Sequence, residues 1–159
     1  MTGHGRRISS GRLTGSLFRR FTTAVLLASI AAAVASSNGI RFARESRRIL
    51  APGHGEFLLG QCSRNTPHWV TSYWLPTSVD IDTLEQRLLL YLSKSEKPPH
   101  GEYAGTYVGI LTNGKKLIYA NFSPRSGPDM VCDGGPQFWG VVFDPLTNKF
   151  SDLEFNGIA

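Results

Sequence analysis

The sequence predicts an α+β domain, with one amphipathic helix packed on a curled antiparallel sheet of about five strands. Three observations predict it. A single stretch, 80–92, repeats its apolar residues at helical spacing. An Asn-Gly pair, Asn113-Gly114, sits between two long β-rich runs. A second hairpin pattern closes the chain at 138–155. One helix cannot build a bundle, so the strands must supply the layer it packs against.

The first strand is expected at Trp69–Trp74, WVTSYW, rich in aromatic and β-branched residues and stopped by Pro76. The helix follows. Asp80 is placed to cap its first turn, and Asp82 and Glu85 put negative charge near the positive end of the helix dipole. Ile81, Leu84, Leu88, Tyr91 and Leu92 fall on one face. Lys94 and Lys97 suit the C-terminal end, and Pro98-Pro99 forbids continuation.

Next come YAGTYVGILT and KKLIYANF, joined by Asn113-Gly114, whose residues adopt the positive φ of a type I′ turn readily. Neither face of this pair is strongly polar, which points to cover on both sides. In the last hairpin, Phe138–Phe143 turns through residues 144–148 into Lys149–Phe155. Phe150, Leu153 and Phe155 break strict alternation there, the sign of a bulge or an early strand end.

Charge is unevenly spread. The 159 residues carry a formal +5, and residues 1–35 account for all of it through Arg6, Arg7, Arg12, Arg19 and Arg20 with no acid. From Glu56 onward 8 basic residues face 11 acidic ones, a balance that repels phosphate and excludes the usual nucleic-acid-binding pattern. The leader has the form of an export signal: a basic start, the apolar run 21–35, and Ala33-Val34-Ala35 as a small-x-small cleavage motif. Fifteen residues rise only about 22 Å as a helix, short of the hydrocarbon core of roughly 30 Å, which favours a cleaved signal peptide. The alternative is an uncleaved N-terminal helix that anchors the chain with the domain outside. Arg19-Arg20-Phe21 matches a twin-arginine signal only in part.

The organisation read from this is a leader at 1–35, a flexible basic linker at 36–55 carrying Arg41, Arg44, Arg47 and Arg48, and a single α+β domain at 56–159. The expected location is exported: periplasmic, secreted or in the cell envelope.

Cys62 and Cys132 lie 70 residues apart, outside any C-x-x-C redox or metal pattern. In an exported chain the simplest reading is a disulfide. Closing a loop of that length contributes about 4 kcal/mol in the chain-entropy model. The sharper alternative makes Cys62 a nucleophile with His68 as base, which requires a reducing compartment.

The histidines lack the i, i+4 spacing of a helical zinc pair, and the chain has neither a phosphate-binding loop nor a G-x-S-x-G elbow. No cofactor and no metal site are therefore assigned. Asn121-Phe122-Ser123 has the form of a glycosylation sequon, followed by Pro124.

The remaining signal is aromatic. A regular first strand sends Trp69 and Trp74 to opposite faces, one toward the core and one free to meet a peptide or glycan, although core for both is the plainer reading. His68, Trp69, Trp74, Asp133 and Trp139 form the candidate binding surface, Asp133 because it sits in the Gly/Pro-rich loop after Cys132.

The function expected is a non-enzymatic binding module for a protein, peptide or cell-wall glycan. The alternatives are a small hydrolase whose groups converge only in the fold, with His68, Asp133 and Cys62 as first suspects, and an assembly subunit offering a strand edge.

Overall fold

The computed structural model describes residues 39–158. The expected export leader and the first residues of the expected linker lie outside the described residues. The architecture is broadly α+β, one α-helix on a curled sheet, but the sheet is mixed and has seven strands.

Its spine is a long hairpin, β4 (Gly101–Thr112) and β5 (Lys115–Pro124), turned by Asn113 and Gly114 at φ 50° and 73°. Both residues occupy the left-handed region a type I′ turn requires. β6 (Trp139–Asp144) pairs antiparallel with β5, and β7 (Lys149–Phe155) with β6.

The other side of β4 is shared by three short strands. β1 (Ile40–Phe42) and β2 (Arg48–Leu50) run parallel to it, and β3 (Val70–Trp74) antiparallel. The two parallel strands correct the expectation of a purely antiparallel sheet. They also correct the expectation of a flexible linker across 36–55, because from Ile40 onward that stretch is pinned to the sheet. Three-residue strands carry too few alternations to be told from coil by periodicity.

The helix, α1 (Ser78–Leu92), starts one turn earlier than Asp80 suggests. Thr77 is the N-cap. Its hydroxyl accepts from the Asp80 N–H at 3.2 Å, and the Asp80 carboxylate accepts from the Thr77 N–H at 2.8 Å. Asp80 is thus the third-position partner of a capping box rather than the cap itself. The helix stops at Leu92, so Lys94 and Lys97 lie beyond its last turn.

Two cores result. On one face of the sheet Ile81, Leu84, Leu88 and Leu92 pack with Tyr107, Phe122, Trp139 and Phe143. On the other, Leu58 from a 3-10 turn at Glu56–Leu59 packs with Val108, Ile110, Tyr119 and Val142. The hairpin is covered on both sides, which is why neither face of its sequence is polar.

Bulges set the faces at the margins. An extra residue at Thr71 shifts the β3–β4 register, so Val70 and Tyr73 share the second face while Trp74 turns to the helix face. The irregular alternation in β7 is likewise a bulge, with Asp152 at φ 51°. Trp74 lies against Gly109, where a Cβ would stand 2.3 Å from the Trp74 carbonyl and 2.8 Å from its ring, so only glycine fits.

Candidate functional site

A groove of about 1070 Å³ runs between β1 with the turn after it and the outer flank of α1. Its walls are Ile40, Phe42 and Ala43 on the sheet side and Val79, Thr83, Gln86 and Leu89 on the helix side. β1 ends the strand order, so among the described residues its outer edge has no partner strand. Gly39 and Ala43 turn their backbone groups toward β4, where Gly101 N–H donates to Gly39 O at 3.3 Å and Ala43 N–H donates to Tyr103 O at 2.8 Å. Strand alternation then directs the N–H and C=O of Ile40 and Phe42 outward, free for an added strand.

An ion network fixes the floor. Arg47 grips Glu85 through Nε at 3.1 Å and Nη2 at 2.6 Å, and reaches Asp82 at 2.9 Å. The Tyr107 hydroxyl donates to Glu85 at 2.7 Å from the core side. Glu85, only 7% exposed, is therefore a buried carboxylate with a bidentate guanidinium and a phenol, the arrangement that makes burying it tolerable.

Burial pushes the Tyr107 phenol well above its usual value, and the Glu85 carboxylate pushes it further. Burial alone would pull Arg47 down, but its bonds to Glu85 and Asp82 outweigh that and hold it above its usual value. The network ties the segment between β1 and β2 to α1 and so sets the groove's width. Arg47 falls in the expected basic linker and Asp82 near the helix dipole, and their pairing has no local signal in the sequence.

The second face holds a clasp. Cys62 and Cys132 form a disulfide, with Cα atoms 5.3 Å apart. Around it, Ser63 O accepts from Gly157 N–H at 3.3 Å and Ser63 Oγ from Asp133 N–H at 3.2 Å. Beneath lies Arg64, a buried guanidinium that no carboxylate approaches within ion-pair distance among the described residues. It donates to Asn156 Oδ1 at 2.5 Å, to Tyr119 Oη at 3.2 Å and to Asn121 Oδ1. The two asparagines pass the contact on: Asn121 Nδ2 donates to Asp129 O at 2.9 Å and Asn156 Nδ2 to Val131 O at 2.5 Å. Burial raises the Tyr119 phenol, and the Arg64 charge draws it partly back. All three acceptors are neutral, so the hub orders three chain segments without an internal counter-charge.

The residues singled out in the sequence separate. Trp139 is fully buried, stacked on Phe122 with ring centroids 4.1 Å apart, so it is core and not surface. Trp74 is half-buried, its indole N–H shared between Ile110 O at 3.2 Å and Leu117 O at 3.1 Å. Trp69 is 83% exposed and His68 is exposed beside it, the His68 carbonyl accepting from Thr112 Oγ1 at 3.1 Å at the hairpin-tip end. Asp133 is exposed at the clasp.

The three suspects for hydrolysis are not assembled. Cys62 is held in the disulfide, His68 sits by the hairpin tip and Asp133 by Ser63. Asn121 is 1% exposed with its amide bonded, which closes the sequon to a glycan in the folded domain.

No helix among the described residues is long and apolar enough to cross a membrane. The chain matches no protein-family model, no curated protein sequence and no solved structure.

Proposed function

We propose that the chain is a small exported, non-enzymatic binding module of the periplasm, cell envelope or extracellular space, and that it takes an extended peptide segment of a partner protein. One observation carries this reading: the groove beside the edge of β1 that has no partner strand among the described residues. An added strand gains main-chain hydrogen bonds from Ile40 and Phe42, and its alternate side chains settle against Val79, Thr83 and Leu89. The Cys62–Cys132 bond is compatible with an oxidising location.

The test is selection of peptides from a displayed library on the full chain, followed by Val79→Arg. Val79 is 69% exposed on the groove wall, so the substitution leaves the core untouched. The expected result is at least a tenfold loss of affinity with an unchanged melting temperature. Peptides that bind the variant as tightly as the wild type, or a library that yields none, contradict the reading.

The same free edge favours one other reading, an assembly subunit that pairs with a neighbouring chain. That case gives a stoichiometric complex at cellular concentration instead of exchangeable peptide binding.

A further inference from the structure

The end of the sheet opposite the groove carries a second surface. The pairing of Val70 with Thr112, of Thr112 with Lys115 and of Asp144 with Lys149 brings the start of β3 and both hairpin turns to one end. Two large apolar side chains project there into solvent, Trp69 at 83% and Leu146 at 90% exposure. Exposed lysines stand at the same end: Lys115 and Lys149 in the turns, and Lys116, whose Nζ lies 5.4 Å from the centroid of the Trp74 ring. Asp144 is the one acid in these turns, and its carboxylate accepts from the Leu146 and Thr147 N–H groups at 2.9 and 3.1 Å, which props up the Leu146 turn.

Trp69 is the informative residue. Its backbone sits at φ 58°, a left-handed conformation in which a bulky side chain is a genuine outlier and asparagine or glycine is at ease. The fold gains little from that indole, because the ring lies almost wholly in water. Strain kept for an exposed tryptophan makes sense when the ring has work outside the fold.

We propose that this end docks on an anionic lipid bilayer, with Trp69 and Leu146 entering the headgroup layer and the three lysines held over acidic headgroups. Charge complementarity selects this occupant: two apolar wedges and three cations at one end of the sheet are the composition of an interfacial membrane contact. Tryptophan is at home at that boundary, with an apolar ring and a polar N–H. The contact belongs to the chain released from its leader. The described chain enters at Gly39, beside the start of β4, and the turns lie about 36 Å away along that strand. A docked domain therefore turns its groove away from the bilayer.

The experiment uses the protein as recovered from cells, mixed with vesicles of phosphatidylcholine alone or with an equal share of phosphatidylglycerol, in each case with brominated chains. Trp139 is buried and Trp74 half-buried, so a blue shift and quenching of tryptophan emission report on Trp69. The expected result is binding at least tenfold tighter to the anionic vesicles, with quenching and weakening by salt. Lys115→Gln with Lys149→Gln weakens it about 25-fold, at roughly fivefold per lysine. Trp69→Asn with Leu146→Ser abolishes it while leaving the melting temperature unchanged or higher. Equal binding to both vesicle types, full binding by the Trp69→Asn, Leu146→Ser variant, or no binding to either vesicle overturns the proposal; the last result, with a protein captured at the same surface, assigns this end to a protein partner.

Discussion

On one face of the sheet the cover is α1, which sets Ile81, Leu84, Leu88 and Leu92 against Tyr107, Phe122 and Trp139. On the other it is irregular chain, where Leu58 and Leu59 supply the apolar plug beside a polar hub under a disulfide. The first face is held by area removed from water, the second by restricting a chain that would otherwise be free. A small domain can thus complete its core with a single helix by clamping a loop where a second helix would have packed. The two faces should fail differently.

The largest expected effect is removal of the clamp. Cys62→Ser with Cys132→Ser costs about 4 kcal/mol. Hydrogen exchange then shows protection lost first in 51–69 and 125–138, while β4, β5 and α1 stay protected. If β4, β5 and α1 lose protection together with the two loops, the two faces are not separate units.

Leu88→Ala, on the helix face, costs about 3 kcal/mol through the cavity it leaves. Its signature is the reverse: urea unfolding stays a single transition at a lower midpoint, and protection falls evenly across the sheet. A loss confined to α1 contradicts the common core.

Alkaline pH strikes both faces. Tyr107 and Tyr119 are raised above the usual tyrosine value, mainly by burial. The unfolded chain ionises near pH 10 while the folded chain keeps the protons, so stability is full below that pH and declines as pH rises above it. Each tyrosine contributes a slope of up to about 1.4 kcal/mol per pH unit. Urea midpoints between pH 8 and 11.5 measure it, and Tyr107→Phe should lessen the slope. A flat profile contradicts the burial of these phenols.

The smallest effect is a gain. Gln61 stands beside the clamp with both side-chain polar atoms buried and unpaired. Gln61→Met should raise stability by about 1 kcal/mol, read from the thermal midpoint. A loss of that size would mean the amide has a partner that fixes the clamp.

The contrast also explains what was legible. The helix announced itself because Ile81, Leu84, Leu88 and Leu92 repeat at the period of its turn, and the long hairpin because Asn113-Gly114 demands a specific backbone. The Cys62–Cys132 pairing followed from count and expected compartment. β1 and β2 were hidden because their strand character comes from β4, a partner some 60 residues away. The bulge at Thr71 was invisible locally, and it decides that Trp74 packs inward. The roles of Arg64 and Arg47 were hidden, because nothing beside them in sequence supplies their partners. The groove was unreadable for the same reason: its walls, the 39–45 segment and α1, are separate in sequence and meet only in the fold.

The function proposed is that of an exported binding module, on a fold whose second face is closed by the Cys62–Cys132 bond. Its most direct test is the intact mass of the native protein from fractionated cells, with thiols alkylated before and after reduction. The account predicts a chain beginning at Ser36, outside the cytosol, that takes up no alkylating agent until it is reduced and two equivalents afterwards. A chain retained in the cytosol with both cysteines alkylated at once would contradict it.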